Sequence, residues 1–329
     1  MTAAGFTRIA DGASLPAALR GAVVAIGNFD GVHRGHRIVL DRALAEAARL
    51  GAPVIVLTFE PHPRALFSPD TAPFRITPAD LKAGIVAALG FDAIVEQPFT
   101  RAFASLTAED FVARFLCDEL GIAHVVTGFD FHFGARRSGG PAYLMEAGAA
   151  RGFGVTLVDA FRDEGAEIVS SSRIRTMLEA GDVAEAAGQL GYRYRVRAPV
   201  TKGRQLGRTL GYPTANMALD PDNRLAHGIY AVRLRRADGT LHDGVASFGR
   251  RPTVTEEGAP LLETFVFDFS GDLYGEECTV SFFGFLRGEV KFDGLDALTA
   301  QMQRDDAEAR ALLAGVTPLG DLDRALSFA

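Results

Sequence analysis

The stretch from Ile26 to His36, IGNFDGVHRGH, decides the fold of the first half of the chain. It follows an apolar run from Ala22 that is typical of a buried strand, and it leads into a helical pattern from Arg37 onward. A glycine-rich turn between a strand and a helix lets the backbone approach a phosphate, and the helix N-terminus then offers N–H groups to that anion. The stretch therefore predicts a phosphate-binding loop.

Two histidines in this stretch are candidate catalytic groups. His33 and His36 are three residues apart, so they share one face if the helix begins near them. Imidazoles that point at a phosphate can donate hydrogen bonds to the charge that develops during its transfer. An ordinary polar loop and a zinc pair are the alternatives, although zinc needs further ligands and none is spaced for it nearby. The position between a strand and a helix favours nucleotide chemistry.

Composition limits the class of protein. A chain of 329 residues predicts two domains, and 48% apolar residues are enough for two cores. Apolar stretches all fall short of the ~20 residues of a membrane span, and the N-terminus lacks the pattern of a secretory signal. Cys117 and Cys278 are expected to be two buried thiols in a reducing cytoplasm. The net charge of −7 argues against nucleic-acid binding, so we expect a cytoplasmic protein without a nucleic-acid or membrane partner.

Strands and helices alternate from residue 21 to about residue 185, which predicts an α/β domain with a doubly wound parallel sheet covered by helices on both faces. Thr77 followed by Pro78 predicts one helix cap, and Thr107 with Asp110 another. The motifs GNFDG, FEPHP and GFDFHFG each follow a strand, so they should meet at one edge of the sheet. The predicted strands are Ala22–Ile26, Pro53–Phe59, Ala93–Glu96, His124–Gly128 and Val155–Asp159; the predicted helices are Gly35–Leu50, Pro78–Leu89, Ala108–Leu120, Pro141–Arg151 and Ser172–Ala180.

The pattern changes near Gly181–Gly191, and we place the domains at residues 1–186 and 187–329. Short alternating runs separated by Gly, Asp and Pro predict a small antiparallel barrel or sandwich, followed by one helix at Leu295–Leu313. The predicted strands are Tyr194–Val200, Gly228–Arg235, Asp243–Phe248, Leu262–Phe269 and Glu277–Phe283. The sequence contains no GxxxxGK[ST] loop, so a kinase here would need another phosphate cradle.

Two further motifs carry candidate ligands. In SSSRIR, hydroxyls and two guanidinium groups at a helix start suit the β- and γ-phosphates of ATP, although a plain Ser cap with solvated arginines has the same pattern. In PTAN, Thr214 and Asn216 project to the same side of an extended segment and offer hard oxygen ligands for Mg²⁺. Because both are neutral, we infer that the metal arrives with ATP. A turn with an Asn cap is the alternative for PTAN alone.

The string FDGVHRGH resembles the nucleotidyltransferase signature. From about Val23 to about Asp306, the chain resembles the bacterial bifunctional riboflavin kinase/FMN adenylyltransferase family. The motifs that carry this resemblance are TFEPHP at Thr58–Pro63, GFDFHFG at Gly128–Gly134, SSSRIR at Ser170–Arg175, GRTLGYPTAN at Gly207–Asn216 and ETFVFDFSGDLYGE at Glu263–Glu276.

For the first domain, the resemblance implies that the two histidines stabilise the α-phosphate while pyrophosphate leaves. It also implies that SSSRIR binds the triphosphate, with Arg175 as a catalytic arginine, and that Asp30 orders the loop or a bridging cation. The expected ATP-binding residues here are Gly27, Asp30, Gly31, Ser171, Ser172 and Arg173; the expected flavin-binding residues are Phe67, Asp130 and Phe133.

For the second domain, the resemblance implies a six-stranded barrel with a C-terminal helix. Gly203 and Gly207 lie in the glycine-rich loop expected to bind ATP, and Glu263 falls where the family has its general base, placed to take the proton of the ribityl 5′-hydroxyl. Thr214 and Asn216 are the expected metal ligands.

The sequence thus predicts a bifunctional enzyme with Mg²⁺ as cofactor and ATP as co-substrate. Riboflavin would become FMN in the second domain, and FMN would become FAD in the first. Two alternatives are a barrel that only senses flavin and a non-catalytic flavin carrier. The motifs PTAN and Glu263 oppose the first, and HxGH with SSSRIR opposes the second. We expect a monomer or a weak homo-oligomer.

Overall fold

A computed structural model describes residues 5–68, 72–203, 207, 211–252 and 257–329. The chain forms two compact units. The first, here the sheet unit, contains Thr2–Pro73 and Thr77–Ser170, and the second, the barrel unit, contains Phe74–Ile76 and Ser171–Ala329. The predicted domain boundary after residue 186 lies within the barrel unit and stays a prediction.

The sheet unit is built on one parallel sheet, which confirms the predicted fold class. Six strands in the described part of the chain follow the order β1-β4-β3-β2-β5-β6, and every pair is parallel. The sequence analysis did not predict β1, because this strand has only three residues. Two of their side chains are exposed, so they form no apolar run. The strands are β1 (Thr7–Ile9), β2 (Val23–Ile26), β3 (Val54–Glu60), β4 (Ala93–Pro98), β5 (His124–Gly128) and β6 (Gly154–Val158).

The four helices predicted for the sheet unit agree with the structure within one or two residues, whereas the short helices over Pro63–Phe67 and Arg101–Ala104 were not predicted. The cap at Thr107 is confirmed, because its side chain accepts a hydrogen bond from the Asp110 N–H. Beyond Asp110 this helix widens to a π-helix over Phe111–Glu119. The helices are α1 (Arg34–Leu50), α2 (Pro63–Phe67), α3 (Ala79–Ala88), α4 (Arg101–Ala104), α5 (Ala108–Asp110, continued by the π-helix) and α6 (Pro141–Arg151); short 3-10 turns cover Gly12–Ser14, Ala17–Leu19 and Ala135–Arg137.

The predicted cap at Thr77 is wrong. α3 begins after Pro78, which is its N-cap residue and makes no side-chain cap hydrogen bond. The Thr77 hydroxyl instead accepts a hydrogen bond from the Gly31 N–H at 2.8 Å. It therefore supports the loop after β2 rather than its own helix.

The strand order places this loop at the switch point of the sheet. The chain moves outward from β2 through β3 to β4, returns to β5 on the other side of β2, and continues to β6. Since such crossovers are right-handed, the reversal puts helices on opposite faces and opens a crevice at the carboxyl ends of β2 and β5. All four residues of β2 are buried, so the loop that follows begins at a strand that is held in the core of the sheet.

The barrel unit contains a closed antiparallel barrel, again as predicted. Among the described residues, six strands follow the order β10-β11-β8-β7-β12-β9. The strands are β7 (Arg195–Thr201), β8 (Thr214–Ala218), β9 (Gly228–Arg235), β10 (Leu241–Pro252), β11 (Glu257–Val266) and β12 (Glu277–Arg287); the helices are α7 (Ser171–Ala180), α8 (Val183–Leu190), α9 (Leu295–Ala314) and α10 (Asp321–Ser327).

The two cysteines are free. Cys278 is buried, and burial raises the pKa of its thiol to about 11, whereas Cys117 is only half-buried. The expectation of two buried thiols is therefore confirmed for one of them. Within the described ranges, no helix is long and apolar enough to cross a bilayer.

The last helix, α10, is held to the barrel unit by a buried ion pair that the sequence pattern did not predict. The Asp323 side chain is fully buried, and its carboxylate accepts hydrogen bonds from the Arg193 N–H at 2.9 Å and the Leu319 N–H at 3.0 Å. The Arg193 guanidinium lies 3.4 Å from the same carboxylate. One carboxylate thus joins the start of β7 to α10.

We expect Asp323→Ala to destabilise the barrel unit by about 3–5 kcal/mol, because it leaves a buried guanidinium without its counter-charge. Asp321→Ala removes an exposed carboxylate of the same helix and should change stability by less than about 0.5 kcal/mol. Urea unfolding followed by tyrosine fluorescence measures both, since Tyr143 is the only tyrosine outside the barrel unit and the chain has no Trp. Equal stability of the two variants would contradict the role of Asp323.

Candidate active sites

The loop between β2 and α1 is tightly curled. Phe29, Gly31 and Val32 have φ values of 48°, 91° and 38°. Left-handed conformations are costly for Phe and Val, and such strain is typical of functional loops that their surroundings hold in place. A Cβ at Gly27 would lie 2.9 Å from the Phe29 ring, so the turn also requires glycine there.

Asp30 holds this loop to the chain before α3. Its buried carboxylate accepts hydrogen bonds from the Thr77 N–H at 3.0 Å and the Thr77 hydroxyl at 3.4 Å. The bond from the Gly31 N–H to the same hydroxyl completes the connection. These contacts agree with the loop-ordering role expected for Asp30, and its contact with ATP or a cation stays a prediction.

The two predicted histidines stack at the start of α1. Their ring centroids are 3.6 Å apart, and the planes differ by 16°. His33 is the N-cap residue, and its Nδ1 accepts a hydrogen bond from the His36 N–H at 3.2 Å. Because Nδ1 is the acceptor, a neutral His33 ring carries its proton on Nε2.

His36 is poised to receive a polar ligand. Its Nδ1 is buried and has no hydrogen-bond partner in the described part of the chain. Burial, with the His33 ring and the Lys82 cation, holds the pKa of His36 well below its usual value of 6.5. The ring is therefore neutral at pH 7 and carries one N–H donor and one acceptor. A neutral His36 ring can approach a phosphate without bringing a fixed charge into the crevice.

Lys82 is a residue that the sequence analysis missed. It is 1% exposed, and its ammonium donates to the Asn28 carbonyl at 2.9 Å, the Thr58 hydroxyl at 3.0 Å and the Glu60 carboxylate at 3.1 Å. One cation thus joins the loop after β2 to the end of β3. The available signal is that Lys82 is the only charged residue between Asp80 and Asp92, and its neighbours along the chain are apolar.

The predicted flavin residues of the sheet unit have different environments. Phe67 is 67% exposed, and Asp130 is also exposed in the loop after β5. Phe133 is 7% exposed and packs 4.9 Å from the Phe111 ring in the core of the unit. The first two are open to a ligand, while Phe133 also has the core role of an ordinary Phe. All three flavin contacts stay predictions.

The SSSRIR residues start α7, as expected, and this helix belongs to the barrel unit. Ser172 is exposed, and Ser171 and Arg173 are half-buried. The Arg175 Nε donates to the Phe74 carbonyl at 2.8 Å, so part of its guanidinium holds backbone. Their action together with His33 and His36 stays a prediction.

The second site is built on β8 and β11. Glu263 lies directly opposite Asn216 in the antiparallel register, and Thr214 lies two residues from Asn216 on the same strand. Opposite residues and residues two apart share one face of a sheet, so these three predicted side chains occupy one face. The Asn216 amide also donates to the Thr214 hydroxyl at 3.2 Å.

Two glycines near this face allow close approaches of the chain. A Cβ at Gly203 would lie 2.4 Å from the Asn216 amide oxygen, and a Cβ at Gly207 would lie 2.2 Å from the Tyr212 carbonyl oxygen. A larger residue at either position would displace the groups it meets. The rest of the predicted glycine-rich loop, residues 204–206 and 208–210, lies outside the described residues.

The oxygen ligands at this face suit a magnesium ion that is already bound to the phosphates of a nucleotide. Thr214 and Asn216 offer neutral oxygen atoms, and the amide oxygen of Asn216 lies against a backbone that only glycine allows so close. In the described ranges, no group of three His, Cys, Asp or Glu residues could hold a metal by itself. A metal at this face would therefore need most of its ligands from a nucleotide.

The sheet with its histidine loop and the barrel with its carboxylate–amide pair define a two-unit enzyme that uses nucleotide phosphates. A family model described as FAD synthetase matches residues 15–173, and one described as riboflavin kinase matches residues 190–313. The chain belongs to the bifunctional riboflavin kinase/FMN adenylyltransferase family.

Relatives that carry this name cover almost the whole chain. The protein from Pseudomonas fluorescens is 42% identical over 295 residues, which are 90% of this chain and 94% of its own. The protein from Escherichia coli K12 is 39% identical over 290 residues, 88% of this chain and 92% of its own. A crystal structure described as a macrolide-efflux protein from Streptococcus pneumoniae has a TM-score of 0.80 and 30% identity, and covers 93% of this chain and 99% of its own.

We expect Lys82→Met to raise the pKa of His36, because it removes a neighbouring cation and leaves the Glu60 carboxylate without that counter-charge. NMR titration of ring-labelled histidines in the full chain measures this pKa, with the His36→Gln spectrum assigning the resonance. Lys291→Met, at an exposed position of the barrel unit, is the control. An unchanged His36 pKa in Lys82→Met would show that this ammonium does not act on the histidine pair.

Proposed function

We propose that this protein makes FAD from riboflavin in two ATP-dependent steps, each carried out by the residues assembled above. In the barrel unit, riboflavin and ATP give FMN and ADP. In the sheet unit, FMN and ATP give FAD and pyrophosphate. The observation that supports the proposal is that candidate groups for phosphate chemistry occur in both units: the stacked histidines at the switch point of the sheet, and Glu263 opposite Asn216 in the barrel.

In adenylyl transfer, an FMN phosphate oxygen attacks the α-phosphorus of ATP, and the bond to pyrophosphate breaks. The Nε2–H of His33 and the ring of His36 donate hydrogen bonds to the α-phosphate as its charge grows. The first N–H groups of α1 add the positive end of the helix dipole. Ser171, Ser172, Arg173 and Arg175 are proposed to hold the β- and γ-phosphates, which become the leaving group, while Gly27 and Gly31 let the nucleotide approach the loop.

The flavin of this step is proposed to bind beside the loops after β3 and β5. The exposed ring of Phe67 and the exposed carboxylate of Asp130 support this position, since a flavin presents a flat apolar surface and polar edges. An edge of the Phe133 ring would complete the wall.

In riboflavin phosphorylation, Glu263 is proposed to take the proton of the ribityl 5′-hydroxyl as that oxygen attacks the γ-phosphorus of ATP. Thr214 and Asn216 would hold Mg²⁺, which neutralises phosphate charge when bound. Gly203 and Gly207 let the triphosphate approach the backbone beside Asn216. The expected monomer or weak homo-oligomer stays a prediction.

One experiment separates this proposal from its two alternatives. Purified protein is incubated with riboflavin and Mg-ATP, or with FMN and Mg-ATP, and the flavins are separated by chromatography. Production of FMN and then FAD supports the two-step enzyme. FAD from FMN without FMN from riboflavin would indicate a barrel that only senses flavin, and bound but unchanged flavin would indicate a carrier.

We expect His36→Ala to lower FAD formation by about 10²–10³-fold, as is typical for the loss of one donor to a transition state. Riboflavin phosphorylation should change little, because His36 lies in the sheet unit. His242→Ala, on the barrel, is the matched control and should leave FAD formation near that of the wild type. An equal loss of both activities in a correctly folded His36→Ala protein would contradict the assignment of the steps to separate sites.

We expect Glu263→Gln to lower kcat for FMN formation by about 10²–10⁴-fold with little change in the ATP dependence, because shape is kept while the base is lost. Thr214→Ala should instead weaken the ATP dependence together with the rate, since it removes a proposed ligand of the Mg-nucleotide. Initial rates over a range of ATP concentrations distinguish the two patterns.

Glu308→Gln, at an exposed position of α9, is the control for the loss of a carboxylate. Neither Glu263→Gln nor Thr214→Ala should alter FAD formation from supplied FMN. A Glu263→Gln enzyme with the wild-type rate would remove the base from the mechanism and leave positioning and the metal to carry the transfer.

A further inference from the structure

The barrel carries a cluster of arginines that neither proposed reaction uses. Three neighbouring strands place their residues in two rows: Arg195, Ser281 and Arg233 stand opposite one another, and Arg197, Thr279 and Arg235 form the next row. Rows two residues apart lie on the same face of a sheet. α10 lies against this face, because the Ser327 hydroxyl contacts the Ser281 hydroxyl at 3.3 Å.

Arg195 is the unusual member of this cluster. It is 5% exposed, and its Nε is buried without a hydrogen-bond partner among the residues that the structure describes. Burial, and then the nearby Arg197 and Arg235, lower the pKa of its guanidinium to about 10. The group still carries its charge at pH 7. A buried charge with an unsatisfied donor is strongly unfavourable unless something outside the chain accepts the bond.

The neighbouring acidic groups offset the charge of Arg195 only in part: Asp323 acts to raise the pKa of the guanidinium, but burial and the neighbouring arginines outweigh it. The carboxylate of Asp323 is occupied by Arg193, and that of Asp243 lies 2.6 Å from Arg233. The hydrogen bonds of Arg235 go to carbonyl oxygens of Gly239, Ala325 and Leu326, which carry no net charge. Arg197 has the Glu277 carboxylate at 3.7 Å, which is a loose pair on an exposed residue. Positive charge is therefore in excess around Arg195, Arg197 and Arg235.

We propose that Arg195, Arg197 and Arg235 bind a phosphate-type oxyanion on this face of the barrel. Arg195 forms the floor of the site, and the exposed Arg197 gives the anion access from solvent. Water could accept the Nε–H bond but would not offset the charge, whereas a phosphate does both, and its oxygens match the fork of a guanidinium.

This site is separate from the proposed kinase site. Asn216 pairs with Thr201 at the far end of β7, so Arg195 lies about 20 Å away along the strand, at about 3.3 Å per residue. The site also joins α10 to the barrel, because Arg235 bonds carbonyl oxygens of that helix. An anion that fixes these guanidinium groups should therefore make α10 and the start of β7 more rigid.

Hydrogen–deuterium exchange of the full chain tests the site with a local measurement. Exchange is compared in inorganic phosphate, in pyrophosphate and in chloride at equal ionic strength. We expect phosphate to slow exchange, relative to chloride, in peptides that cover residues 193–197 and 321–329. Pyrophosphate should act at lower concentration if the site prefers a larger phosphate chain, and at equal concentration if one phosphate group is recognised. Binding of either anion at the proposed active sites would instead protect peptides elsewhere.

Variants decide whether Arg195 is responsible. Arg195→Met should abolish the phosphate-specific protection, and Arg197→Gln, at an exposed position that tolerates change, should raise the phosphate concentration needed by about tenfold. Arg304→Gln, an exposed arginine of α9, should behave as the wild type. If Arg195→Met does not fold, the Arg197→Gln comparison decides. The proposal is overturned if wild-type protein shows no phosphate-specific protection, or if Arg197→Gln or folded Arg195→Met retains it unchanged.

Discussion

The loop after β2 depends on partners that hold a backbone conformation it would not keep alone. Phe29 and Val32 have positive φ values, which cost free energy for residues with large side chains. Thr77 and Asp30 hold one part of this loop, and the Lys82 ammonium holds the Asn28 carbonyl. With the loop fixed, α1 begins at the position that stacks its two histidines. The geometry of the first site therefore follows from buried hydrogen bonds made by residues distant in sequence.

Apolar runs predicted most of the fold, because a buried strand or helix face requires apolar residues at regular positions in the local sequence. β2 and β5 were located within one residue, since a central parallel strand is apolar on both faces. The histidine pair was also predictable, because a spacing of three residues near a helix start puts two side chains on one face. The barrel strands were located with larger errors at their ends, where β10, β11 and β12 extend past the alternating pattern or shift against it.

Contacts that join distant segments could not be predicted from local patterns. Thr77 precedes a proline and has the sequence of a helix cap, yet its hydroxyl serves Gly31. Lys82 and Asp323 are buried charged residues in helices, and their immediate sequence does not show which distant groups they contact. Phe133 was assigned to a flavin wall by resemblance, and the structure adds a core contact that resemblance does not address. Such pairings depend on which segments the fold brings together.

Apart from Arg173 and Arg175, which are proposed to hold the leaving phosphates, the two proposed sites meet phosphate charge with mostly neutral groups. The sheet unit offers helix N–H groups and a histidine pair in which burial lowers the pKa of His36, and the barrel unit offers a hydroxyl and an amide beside one carboxylate. Neutral donors can move close to a phosphate without the desolvation cost of a buried cation, and they strengthen their bonds only as charge develops on the phosphate. The counter-charge in the kinase step must then come largely with the nucleotide. The arginine cluster around Arg195 has the opposite character, because it holds fixed positive charge in a partly desolvated place. Fixed charge of this kind suits binding of an anion at equilibrium, whereas the neutral sites suit a change of charge during reaction.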